Sequence, residues 1–67
     1  MDIATKAAEI KERAYQARVS LNSVMKRAGV SNATFWRWER GLASYARPAT
    51  VGKIEDALDQ IERERAA

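Results

Sequence analysis

Apolar and polar positions follow a helical period along most of this chain. Ile3, Ala7, Ile10, Ala14 and Ala17 recur at spacings of four and three, which draws one stripe along a helix predicted over about 3–17. Most of that stripe is Ala, so Ile3, Ile10 and Tyr15 are expected to supply most of its buried area. Val24, Met25 and Ala28 form the inward face of a second predicted helix, 21–28. Ser20 stands before it as an N-cap whose hydroxyl can accept from the free amides of the first turn, and Val19 is placed to pack on Val24. Gly29 supplies the left-handed residue that ends this helix. The same device follows at once: Ser31 caps a helix predicted over about 32–40, Val30 is placed to pack on Phe35, and Gly41 ends it. At about 100° per residue, Phe35, Trp38 and Leu42 fall within about 60° of one another and make the expected buried stripe. Segment 41–49 reads as a loop. Thr50 is the predicted cap of a last helix with Val51, Ile54, Ala57, Leu58 and Ile61 inward, and the charged run 62–65 is expected to fray or continue into solvent.

Sixty-seven residues suit one small all-α domain, and a chain this short buries only about 60% of the surface it exposes unfolded. Thirteen Ala stand among its apolar residues, leaving eighteen larger apolar side chains for the core. Cys and His are both absent. That removes disulfides, Cys/His zinc sites, thiol nucleophiles and every triad that needs imidazole. Glu39, Glu55, Asp56 and Asp59 have no paired arrangement beyond solvated helix faces, so neither enzymatic activity, a metal, a cofactor nor a small-molecule ligand is expected. No run of eighteen apolar residues occurs, and charges from Asp2 to Arg13 fall where a signal peptide needs an apolar segment. A soluble, cytoplasmic protein without a membrane partner is the expectation.

Charge is distributed unevenly. Residues 1–17 sum to zero, residues 49–67 carry three basic and five acidic side chains, and residues 18–48 carry six basic ones (Arg18, Lys26, Arg27, Arg37, Arg40 and Arg47) against Glu39 alone. The middle of the chain is therefore the pole at which a polyanion would dock. Two short helices joined by Gly-Val-Ser, with Val24, Ala28, Val30, Phe35 and Trp38 meeting in one core, make the helix-turn-helix pattern over 21–40.

Gly29 at the turn, Val24, Val30, Phe35 and Trp38 at their offsets, the ending Trp38-Glu39-Arg40-Gly41, and Thr50-Val51 with Ile54 and Leu58 after a Pro carry a resemblance. Over about two-thirds of the chain the sequence resembles the lambda-repressor-like, Cro-type helix-turn-helix family of small phage and bacterial regulators. The resemblance implies a compact domain of four helices, or five, with 32–40 as the recognition helix. It also implies that the first residues of that helix face bases. In this sequence those are Asn32 and Ala33, with Arg37 one turn on. The family often pairs an Arg of its first helix with the Glu equivalent to Glu39; Ala14 stands there in this chain, which leaves Arg13 or Arg18 as the partner.

Asn32, Ala33, Trp36, Arg37 and Arg40 occupy the arc opposite the predicted core stripe. Arg can grip guanine O6 and N7 with two prongs, Asn can do the same for adenine, and Ala can touch a thymine methyl. Trp36 either packs on the loop or lies on sugar and base edges, and Asn32 is free for DNA because Ser31 is the better cap. Phosphate contacts are expected from Ser20, Asn22, Ser23 and Lys26 on the second helix, from Ser31, and from Ser44, Tyr45 and Arg47 in the loop. The expected function is a sequence-specific double-stranded DNA-binding transcriptional regulator, a dimeric repressor reading an inverted repeat. One alternative is an excisionase-like architectural DNA-binding protein, although residues after Gly41 lack the alternation a β-wing needs. Another is a protein-interaction helical bundle of the antitoxin or anti-repressor kind. Too few base pairs meet one helix for selectivity, so a homodimer is expected, through the last helix near Leu58, Ile61 and Arg65 or through the Ala-rich face of the first.

Overall fold

Local capping chemistry sets the helix boundaries in the computed structural model, which describes residues 2–66. The Asp2 carboxylate accepts the Thr5 N–H at 2.7 Å and opens α1, Ile3–Gln16. Ser20 accepts the Ser23 N–H at 3.1 Å and opens α2, Leu21–Ala28; Ser31 accepts the Thr34 N–H at 3.2 Å and opens α3, Asn32–Glu39. All three helices end alike. After α3 the Gly41 N–H reaches Trp38 O at 3.1 Å and the Leu42 N–H reaches Arg37 O at 2.9 Å, which closes the helix through a left-handed residue, Gly41 at φ +67°. Gly29, at φ +73°, does this for α2, and Arg18, at φ +58°, does it for α1.

Four expectations change here. α4 begins at Pro48, not at a Thr50 cap; at its other end it continues into solvent through the charged run to Ala66, one of the two courses expected there. Proline belongs at a first helical position because its missing N–H would have had no partner and its φ is already helical. Arg40 is the cap of α3, so the helix ends one residue before the predicted 40. Leu42 lies beyond that cap and is 65% exposed, because the helical phase that would have buried it stops at Gly41. Tyr15 is 76% exposed, since it stands one residue past Ala14 and off the buried stripe.

Ala7, Ile10 and Ala14 from α1, Val24 and Met25 from α2, Phe35 and Trp38 from α3, and Ile54, Ala57, Leu58 and Ile61 from α4 make one apolar core with no buried polar side chain among the described residues. The Phe35 and Trp38 rings pack tilted, 6.1 Å between centroids. α1 lies chiefly on α3, and α2 chiefly on α4. The two short helices are therefore held in their mutual pose by the outer two. Ile61 is buried, not end-exposed, and Leu58 is fully buried, so neither side chain faces outward, whereas Arg65 of the same expected surface is exposed. The stripe Ala7, Ala14 and Ile10 on α1 is likewise consumed inside the domain.

Ion pairs fasten α4 to its neighbours. Arg13 reaches Glu62 through Nε and Nη2 at 3.2 and 2.8 Å and Asp59 at 2.9 Å; Lys6 meets Glu55 at 2.7 Å and Arg27 meets Glu64 at 2.7 Å. The Arg13 guanidinium, held by Glu62 and Asp59, is stabilised in its charged form, as is the Lys6 ammonium by Glu55. No helix among the described residues is long and apolar enough to cross a membrane.

Candidate nucleic-acid interface

The exposed face of α3 carries Asn32, Ala33, Trp36 and Arg37, with Arg40 at its cap, so the structure gathers the five residues expected to read bases on one side. Asn32 is not free as expected: its amide donates to the side-chain oxygen of Asn22 on α2. That bond ties the starts of α2 and α3 together and leaves the Asn22 NH2 and the Asn32 oxygen for an outside partner. The Trp36 indole is 48% exposed and lies outside the buried core. It lies under the Arg40 guanidinium, whose carbon stands 4.4 Å from the ring centroid. A cation over an indole face is attracted by the ring quadrupole, so Arg40 is held near the surface of α3 instead of sweeping through solvent.

The expected phosphate residues divide in the same plain way. Ser20 and Ser31 are engaged as caps, and each hydroxyl also lies 2.9 Å from the next one along its helix, Ser23 and Thr34. Ser23, Lys26, Ser44 and Arg47 are exposed, and Tyr45 is 68% exposed. Glu39 pairs with Lys11 at 3.0 Å, and not with Arg13 or Arg18. Arg27 leaves the expected positive pole, because Glu64 neutralises it.

Between α3, the loop 41–47 and the first turns of α4 lies an open cleft of about 390 Å³. Arg37, Arg47 and Lys53 line it together with the hydroxyls of Thr34, Tyr45 and Thr50, and no acidic side chain does. Lys53, Thr34 and Thr50 are not among the residues expected from the sequence to contact phosphate or bases; Thr50 is expected there only as a helix cap. The available signal was Lys53 as the lone cation in the first half of an acidic helix, three residues after Thr50. Among the described residues, Arg37, Arg40, Arg47 and Lys53 have no carboxylate within 4.0 Å. Comparison of the chain with protein-family models, curated proteins and solved structures gave no match.

Proposed function

We propose that the protein is a sequence-specific double-stranded DNA-binding regulator of transcription, a repressor built on a lambda-repressor-like helix-turn-helix, with α3 entering the major groove. The observation that carries this is the segregation of charge: α4 carboxylates neutralise Lys6, Arg13 and Arg27, while Arg37, Arg40, Arg47 and Lys53, on and beside α3, have no carboxylate within 4.0 Å among the described residues. Asn32, Ala33 and Arg37 read base edges, and Arg40, steadied by Trp36, sits at the backbone end of the helix. Ser23, Lys26, Ser44, Tyr45 and Arg47 flank that face and hold phosphate. Two protomers on an inverted repeat would read half-sites about 10 to 10.5 bp apart, or a multiple of that spacing.

Selection of bound fragments from random duplex DNA tests this. A recovered motif with two-fold symmetry supports it, together with affinity that falls with log salt at about 0.9 per phosphate contacted. Recovery of no motif, with affinity indifferent to salt, overturns it. Exposed Leu42 and Tyr45 on one loop favour a second reading, a bundle that binds another protein, and that outcome belongs to it.

A further inference from the structure

We infer that the cleft between α3, the loop and α4 is a phosphoryl-binding site in which Arg47 and Lys53 are the clamping cations and Arg37 stands at the rim. It extends the binding surface onto α4, the helix whose sequence reads as acidic scaffold. Three positive side chains facing one concavity repel one another, and no carboxylate relieves them there. An anion placed among them removes that repulsion. The chemistry of the wall narrows which anion. Arg37 comes from α3, Arg47 from the loop and Lys53 from α4, and the hydroxyl-bearing Thr34, Tyr45 and Thr50 line the same cleft, so donors reach it from three elements. A tetrahedral phosphoryl group accepts from several directions, whereas a planar carboxylate suits a single two-pronged Arg.

The backbone beneath these side chains is already fixed. Arg37 O accepts the Leu42 N–H at 2.9 Å in the closing turn of α3, and Arg47 O accepts the Val51 N–H at 3.0 Å in the opening turn of α4. Lys53 stands in the regular body of α4. Thr50, from the first turn of that helix, lines the cleft, so the positive end of the α4 dipole adds to the field there. Two sources supply the same chemistry: a phosphodiester of duplex DNA, which rests on the function proposed above, and a free phosphorylated small molecule, which does not.

Lys53→Ala and Lys53→Gln, with Arg63→Ala as a control that removes a cation from the far end of the same helix, separate the sources. All three are checked by thermal melting; Lys53 and Arg63 are both exposed, so unchanged melts are expected. With random-sequence duplexes, a DNA source predicts that both Lys53 variants weaken every duplex alike and lower the salt slope by about 0.9, while Arg63→Ala leaves the slope intact. With inorganic phosphate, a free ligand predicts that the amide resonances of Thr34, Tyr45, Thr50 and Lys53 shift together and saturate, that Lys53→Ala abolishes this, and that the DNA slope is unmoved. If neither arm responds to Lys53→Ala, the cleft is not a phosphoryl site. Sequence-specific DNA binding with Lys53 inert would overturn the cleft and spare the regulator; saturable phosphate binding with no DNA binding by any variant would spare the cleft and overturn the regulator.

Discussion

On the flank where α1 and α2 face α4, Lys6, Arg13 and Arg27 each meet a carboxylate at 2.7 to 2.9 Å. Around α3 and the loop, Arg37, Arg40, Arg47 and Lys53 meet none within 4.0 Å among the described residues. The same residue types thus do two jobs. A net charge of +3 understates the second flank, because much of the cancelling negative charge is spent on the first. Paired cations contribute modestly to stability, while unpaired ones raise a local potential that costs the fold something and is relieved only by an outside anion. Removing a side chain from one flank should therefore change stability with binding intact, and removing one from the other should do the reverse.

The largest expected effect sets the two indoles of α3 against each other. Trp38 is 3% exposed and packs on Phe35, so Trp38→Ala should cost about 3 to 5 kcal/mol, comparable to the whole stability of so short a chain. Trp36→Ala removes a half-exposed ring and its contact with Arg40, and should stay within about 1 kcal/mol of the parent. Thermal melts of both variants measure this; a folded Trp38→Ala beside an unfolded Trp36→Ala would mean that the two faces of α3 have been exchanged.

Next in size is a binding effect on the unpaired flank. Arg37→Ala should lose about 1 to 3 kcal/mol at one base pair of each half-site, whereas Arg47→Ala should weaken all sequences alike. Competition with single-base operator variants separates them. A uniform loss for Arg37 as well would assign it wholly to the cleft it borders and leave base reading to Asn32 and Ala33.

Features set within a few residues were legible in the sequence, and features set across the molecule were not. Ser20, Ser31, Gly29 and Gly41 act on their own turns, so the boundaries of α2 and the start of α3 follow from residue type. Thr50 misled because a capping residue before an apolar run is a good local signal, yet Pro48 two residues earlier is a better one in this backbone. The Lys11–Glu39 and Arg27–Glu64 pairs join residues 28 and 37 apart in the chain, a relation that no local pattern contains. Lys53 was missed for the same reason: its neighbours in the cleft come from α3 and the loop.

A smaller effect should come from the paired flank. Arg13 is about two-thirds buried by its side chain, and Arg13→Ala should cost about 1 kcal/mol by chemical denaturation, with DNA affinity unchanged. Acid should act on this flank too. Arg27 holds the Glu64 carboxyl below its ordinary value, and hydrogen bonds from Thr5 do the same for Asp2. A folded-state value below the unfolded one contributes stability that is complete above the ordinary carboxylate range and is lost as pH falls through the lowered value. Melts at a series of pH values below about 5 should decline, and more shallowly in Arg27→Ala, where the Glu64 share is gone.

The smallest effect falls on Arg18, where stability and binding are expected to pull in opposite directions. Arg18, Gly29 and Gly41 occupy the same left-handed position after three successive helices, at φ +58°, +73° and +67°. Glycine adopts that conformation without penalty, whereas an L-side chain brings its Cβ close to the following carbonyl oxygen. Part of the gain from Arg18→Gly is offset because glycine has more freedom to lose on folding, so the variant should be more stable by a few tenths to about 1 kcal/mol. Arg18 is also an exposed cation with no carboxylate within 4.0 Å among the described residues, two residues before the cap that opens α2. If it belongs to the DNA-facing set, the stabilised variant should bind all duplexes more weakly and show a lower salt slope, by about 0.9. Stability and slope measured on the same preparation decide between the two: a gain in stability with the slope unchanged would leave Arg18 as a strained closing residue alone, outside the unpaired flank.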